Sequence, residues 1–158
     1  MKGFDRLIKV VKRLNDENLD FDLWIVGEGA DREKLERYIK ENNLKNVTLL
    51  GLQSNPYKYI SKADLLVCSS RYEGFNLTVA EGLILERPVL STNCTGPTEI
   101  LDDGKYGMIV ENSEDGLFEG LKKLIQDKNL LEDYKEKAKL RKDFFDEDKI
   151  LKEIENLF

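Results

Sequence analysis

Apolar residues recur at three- and four-residue spacing at the start of the chain, at Phe4, Leu7, Ile8, Val11 and Leu14, which predicts an amphipathic helix over 4–15. The pattern then shortens. Residues 22–26 form an apolar run closed by Gly27-Glu28-Gly29, as a buried strand would. Helical spacing returns over 31–42, with Leu35, Tyr38 and Ile39 inward, and 47–50 is a second strand ending at Gly51. Asn55-Pro56 opens a short helix to about residue 62, because proline suits a first helical position. A strand over 64–68, a helix over 76–85 and a strand over 89–91 follow. Beyond them come a Gly96-Pro97 loop, a single turn over 98–101, a bend at Asp103-Gly104 and a short strand over 107–110. Ser113, with Gly116 behind it, precedes a helix over 115–126, and 131–145 and 148–157 read as terminal helices. Phe144, Phe145, Ile150, Ile154, Leu157 and Phe158 give those last helices something to cover. Strands alternating with helices predict an α/β fold, a Rossmann-like parallel sheet with helices on both faces.

The densest chemistry lies in 69–91, a strand–loop–helix–strand unit. Gly74 lets the chain turn without a Cβ penalty, Asn76 is suited to cap the next helix, and Leu77, Ala80 and Ile84 are expected on its inner face. Pro88 ends that helix. A helix amino terminus reached through a glycine turn offers free N–H groups and a positive dipole end, which suits a pyrophosphate. Two carboxylates bracket the turn, Glu73 in the loop and Glu81 on the helix. Two readings stay open. Either Glu73 is solvated and Glu81 pairs with a nearby cation, or both accept from sugar hydroxyls, which satisfies carboxylates near a core. Gly27, Gly51, Glu73 and Thr95-Gly96 each follow a strand, so they gather at the carboxyl edge of the sheet, where ligands of open α/β folds bind. Gly27-Glu28-Gly29 itself is a weak dinucleotide signal, since Arg32 stands where a third glycine belongs, and a glycine turn after a strand is more often only a tight connection.

Glu73 and Glu81, with Gly74-Phe75 after the first and Arg87-Pro88-Val89-Leu90 after the helix, resemble the signature of family-4 (group 1) retaining glycosyltransferases of the two-Rossmann-domain GT-B type. Lys2-Gly3-Phe4-Asp5, Val26-Gly27-Glu28-Gly29, Gly51 and Gly96-Pro97-Thr98-Glu99-Ile100 fit the same family in order, so the resemblance covers nearly the whole chain. It implies that residues 1–158 are a nucleotide-sugar donor-binding domain. Glu73, as catalytic residue, would bind hydroxyls of the donor sugar. Gly74, Phe75, Asn76 and Leu77 would present N–H groups to the distal phosphate and sugar. Glu81 would accept from the ribose, Lys2 would neutralise the pyrophosphate, and the loop with Gly27 and Gly29 would border the nucleotide. The reaction implied is transfer of a sugar from a nucleotide diphosphate sugar to a hydroxyl acceptor with retention, in surface polysaccharide or glycoconjugate synthesis, with no metal and no cofactor. Two departures stand out. Gly82 replaces the usual alanine at a helix cost of about 1 kcal/mol. Glu86 replaces a helix-ending glycine, where a left-handed backbone strains it by roughly 1 kcal/mol.

The family has a strand ending in Gly-Arg before the Lys-Gly-Phe motif and, before that, a whole Rossmann domain carrying the acceptor site; here Met1 stands before Lys2. The resemblance therefore implies a need for that acceptor domain or a partner chain. It also implies a gap between strands 22–26 and 64–68, relieved by a loosened monomer or an exchanged homodimer. The rival is a non-catalytic nucleotide-sugar-binding subunit.

Composition narrows the field further. A chain of 158 residues with 41% hydrophobic residues suits one domain with its own core. Its net charge of −6 argues against nucleic acid as a partner. There is no histidine, which removes the usual general base, zinc ligand and Ser-His triad. Cys68 and Cys94 lack metal-ligand spacing and read as reduced thiols. No apolar run approaches the ~18 residues of a membrane span, and no leader pattern opens the chain, so a cytoplasmic protein is expected, at the membrane surface if another domain takes it there.

Overall fold

The computed structural model describes residues 2–145. Helix α1 (Phe4–Asp16) begins at Gly3, whose φ of 69° lies in the left-handed region, and a Cβ there would collide with the Ser69 carbonyl. Then follow β1 (Leu23–Val26), α2 (Arg32–Glu41), β2 (Val47–Gly51), α3 (Tyr57–Ile60), β3 (Leu66–Cys68) and α4 (Leu77–Ile84). The chain continues through β4 (Val89–Thr92), α5 (Thr95–Ile100), β5 (Met108–Val110), α6 (Glu114–Gln126) and α7 (Lys128–Lys142), with a last 3-10 turn at Asp143–Phe145. Ser113 caps α6 by accepting from the Gly116 N–H at 2.9 Å, and Asp127 caps α7 through the Leu130 N–H at 3.0 Å. Asp127 starts the terminal helix earlier than the expected 131. Gly96-Pro97, expected in a loop, lies in the first turn of α5, where a missing N–H costs nothing. The helix expected over 148–157 is outside the described residues.

All strand pairs are parallel, but they form two pieces. β1 pairs with β2, Leu23 opposite Val47, and β3, β4 and β5 form a separate three-stranded piece with Leu90 between Val67 and Met108. No ladder joins β1 to β3 among the described residues. Helix α1 holds the pieces together. Ile8 and Val11 pack with Ile25, Leu35 and Val47 on one side. Leu7, Val10 and Leu14 pack with Leu90, Leu117 and Leu121, beside Leu23, Leu65 and Val67, on the other. These five α1 side chains are at most 2% exposed, and burial of each contributes up to about 1.5–3 kcal/mol. The opposite face carries Val79, Leu83, Ile100, Leu101 and Ala138 against Val89. Successive β4 residues thus serve the two layers, as strand alternation requires.

Helix α4 does not face inward as its spacing predicts. Val79, Ala80 and Leu83 are buried, whereas Leu77 is 67% and Ile84 42% exposed. The reason is Gly82, also buried: a Cβ there would meet Leu66 Cδ2 at 2.5 Å and Val89 Cγ2 at 3.3 Å. The helix lies so close to β3 and β4 on its Gly82 side that Leu77 rotates outward. Gly82 therefore has a packing role that offsets its helix cost. Glu86 adopts the left-handed φ expected of it, 58°.

Unpaired N–H and C=O groups along two facing edges are costly unless water or another segment meets them. A strand of β-branched residues ending in Gly-Arg, joined ahead of Lys2, is expected to raise the melting temperature by at least about 5 °C. An unchanged melting temperature by scanning calorimetry would show that the split is already satisfied.

Candidate functional site

Short β3 ends at Cys68, and its carboxyl end is clamped from below. The Arg6 guanidinium, 5% exposed, donates to the Ser69 carbonyl from Nε (3.0 Å) and Nη2 (2.8 Å), to the Ser70 carbonyl (2.7 Å) and to Asn112 Oδ1 (2.7 Å). The Ser69 hydroxyl donates to the Lys2 carbonyl at 2.8 Å, and Arg71 grips Asp5 with two bonds of 2.7 Å. The first turn of α1 and the loop after β3 are thus one body. The hydrogen bond from Arg71 holds the Asp5 carboxyl down at about 2, although its partial burial works the other way.

On this body Glu73 is nearly covered, with 14% of its side chain exposed. Lys2 Nζ lies 2.5 Å from Glu73 Oε1, and the Ser70 hydroxyl donates to the same oxygen at 2.9 Å. Burial alone would push the Glu73 carboxyl up; the bonds from Lys2 and Ser70 outweigh it and bring it below the ordinary range. The two residues assigned to sugar and to pyrophosphate therefore touch. Lys2, more than half exposed, keeps two further N–H donors free of this bond.

The loop then runs into α4. Asn76 caps it, its Oδ1 accepting from the Val79 N–H at 3.2 Å, while its Nδ2 turns inward to Cys68 Sγ at 3.0 Å. The N–H groups of Leu77 and Thr78, in the first turn, have no intrahelical acceptor and belong to the positive end of the helix dipole. Gly74 has open space where a Cβ would stand, and Phe75 is 61% exposed. Helix α5 closes the back of the loop. The Gly96 N–H donates to the Glu73 carbonyl at 3.3 Å, and a Cβ at Gly96 would overlap the Gly74 carbonyl. Close backbone approach explains that glycine.

Glu81, one turn along α4, has no cation partner among the described residues; its Oε1 accepts from the Tyr57 hydroxyl at 3.1 Å. The described residues thus show the Tyr57 hydroxyl, and no lysine or arginine, against Glu81. Gly27 and Gly29 stand apart, at the end of β1. Gly27, with φ 125°, donates to the Gly51 carbonyl at 2.8 Å, and space is open at both glycines. Among the described residues no hydrogen bond joins that turn to the Glu73 loop. Arg32 pairs instead with Glu28 (2.5 Å) and Glu36 (2.7 Å), a local role that accounts for its place after the turn.

A polar cavity of about 480 Å³ opens on the other flank of the loop, lined by Arg71, Tyr72, Asn93, Cys94, Thr95, Thr98, Glu99, Asp102 and Asp103. Neither Glu73 nor Glu81 lines it. The Asp-x-Asp triplet Asp20-Phe21-Asp22 precedes β1, at the opposite edge of the sheet, and the described residues contain no cluster of three or more ligands that could hold a metal ion. No helix among the described residues is long and apolar enough to cross a membrane.

Residues 1–141 match the family described as glycosyl transferases group 1. The chain belongs to that family. A Campylobacter jejuni relative, N-acetylgalactosamine-N,N'-diacetylbacillosaminyl-diphospho-undecaprenol 4-alpha-N-acetylgalactosaminyltransferase, is 38% identical over 155 residues, covering 96% of this chain and 42% of its own. The crystal structure of TarM superposes with a TM-score of 0.85 at 28% identity, over 99% of this chain and 32% of that one. A mutant of S. aureus TarM, in complex with Fondaparinux, alpha-GlcNAc-glycerol and UDP, superposes at 0.80 with 29% identity and the same coverage. The group 1 chain thus spans less than half the length of these relatives and has the Rossmann-like architecture of a GT-B domain.

Sequence reasoning missed Arg6, Ser70 and Tyr57. Arg6 sits on the apolar stripe of α1 between Asp5 and Leu7, and its place on that face was the available signal. Replacing it with methionine roughly keeps the volume but leaves the buried Ser69 carbonyl without its donor and takes one donor each from the Ser70 carbonyl and Asn112. Arg6→Met is expected to cost about 2–4 kcal/mol, read as a lower denaturation midpoint with unchanged slope. A loss under 0.5 kcal/mol, roughly the scatter of surface substitutions, would mean that water replaces the guanidinium.

Proposed function

We propose that this chain is the donor-binding domain of a retaining glycosyltransferase. It moves a sugar from a nucleoside diphosphate to a hydroxyl acceptor in polysaccharide or glycoconjugate synthesis. The observation that carries this reading is the Lys2–Glu73–Ser70 group standing at the open amino end of α4. An anionic diphosphate needs fixed donors and a cation, and a sugar needs an ionised acceptor beside it. Those elements meet here within one loop.

In this reading Glu73 accepts from hydroxyls of the donor sugar, and its pKa keeps it ionised at neutral pH. Lys2 uses its remaining N–H donors on the diphosphate, the developing leaving group, without releasing Glu73. Gly74, Phe75, Asn76 and Leu77 offer backbone N–H groups to the distal phosphate. Glu81 accepts from the ribose, and the Gly27–Gly29 turn borders the nucleotide from across the split sheet. UDP in the TarM complex and a lipid-diphosphate acceptor in the name of the Campylobacter relative support the donor and product classes. The acceptor is held by another domain or chain, and the work is cytoplasmic, at the membrane face where the acceptor is a lipid.

A thermal-shift screen of nucleoside diphosphate sugars tests the reading, since a ligand that binds only the folded state raises its melting temperature. Glu81→Gln is expected to weaken nucleoside diphosphate binding by about 1.5–3 kcal/mol, the range for hydrogen bonds to charged groups. Calorimetry that finds equal affinity in a folded mutant removes Glu81 from the site.

Orientation of donor against acceptor supplies much of a transferase's rate. The 158-residue chain alone is therefore expected to give no transfer above background with radiolabelled donor and a panel of lipid and glycan acceptors. Robust turnover would show that a separate acceptor domain is dispensable.

A further inference from the structure

We infer that Tyr57 is a positioning residue of the donor site: by holding the Glu81 carboxylate, it makes the site select ribonucleoside diphosphates over their deoxy counterparts. This rests on the proposed role of Glu81 toward the ribose.

Tyr57 and Glu81 come from different pieces of the fold. Helix α3 belongs with β1 and β2. Its Tyr59 packs edge-on against Trp24 of β1, with ring centroids 6.0 Å apart, and Tyr59 Oη bonds Gln53 just after β2 at 3.1 Å. Glu81 rides on α4, which packs on β3 and β4. The 3.1 Å bond from Tyr57 Oη to Glu81 Oε1 therefore spans the split between the two pieces.

The chemistry of the partner matters. A lysine or arginine at this place would hold the carboxylate but neutralise it. A phenol holds it and leaves its full charge for neutral hydroxyls, which bond more strongly to an ionised acceptor. The bond from Tyr57 takes one lone pair of Oε1, so Oε2 and the second lone pair of Oε1 remain for a vicinal diol. Without it, a partly buried glutamate on a helix spreads over several rotamers, and ordering it falls to the ligand. The same bond keeps the phenol protonated above its ordinary range, so the donor stays a donor at neutral pH.

The test uses calorimetry on the chain, on Tyr57→Phe, on Glu81→Gln and on the double mutant. UDP, GDP and ADP are compared first, and the tightest of them and its 2′,3′-dideoxy form are the probes. Tyr57→Phe is expected to lose roughly three- to tenfold in affinity for the ribonucleotide. It should bind the dideoxy form within about twofold of the parent chain, and in the Glu81→Gln background it should add nothing. Tyr57 is half exposed, so melting temperatures should match. Equal losses for both probes, or none, overturn the proposal. If the parent chain discriminates, Glu81→Gln erases the difference and Tyr57→Phe does not, the ribose reading stands and only the role of Tyr57 falls. If the parent chain binds both probes alike, or binds none, the ribose reading falls and this inference with it.

Discussion

The buried guanidinium of Arg6 is the contact on which the site depends. It is a full charge in the interior with no carboxylate against it; its acceptors are two main-chain carbonyls and an amide. Burial accordingly lowers its pKa. The charge is held inside through Nε and Nη2 only while those acceptors stay in place, which makes the geometry of residues 69–70 close to obligatory. Ser70 in turn places Glu73. The same carbonyl of Ser70 receives the Thr92 hydroxyl at 2.6 Å and the Cys94 thiol at 3.3 Å, so β4 and the start of α5 are referenced to one atom. Loop, strand end and helix start are therefore coupled without any regular ladder among them.

A second constraint is close backbone approach. Gly3 lies against the Ser69 carbonyl, Gly96 against Gly74, and Gly82 against Leu66 and Val89. Gly3 and Gly96 draw α1 and α5 onto the loop after β3, and Gly82 draws α4 onto the first residues of β3 and β4, each further than a side chain would allow. The loop that carries Glu73 is thereby boxed between α1, α4 and α5. A loop so enclosed is held in one arrangement by the scaffold around it.

Much of this was legible in the sequence, and the limits have a common cause. Periodicity located the strands and helices, and single residues with strong local chemistry behaved as expected, as Asn76 and Ser113 do in capping and Glu86 in its left-handed turn. Local chemistry does not report contacts made across the fold. The bond between Lys2 and Glu73 joins residues 71 positions apart, and that between Arg6 and Asn112 spans 106. A charged residue on an apolar stripe is read as an edge of that stripe until its acceptors are known. The outward rotation of Leu77 was hidden for a similar reason, since it follows from how near Gly82 lets α4 come to another element. The family resemblance held over nearly the whole chain because it rested on ordered motifs rather than on any one of these contacts.

Trp24 is the chain's single tryptophan. It stands on β1, beside the split in the sheet, 44% exposed and edge-on to Tyr59 of the helix that carries Tyr57. Indole emission shifts with the polarity around the ring. The molecule therefore carries its own optical probe at the seam between its two halves, with no competing tryptophan elsewhere to dilute the signal. Whatever enters or tightens that seam changes the colour of one residue.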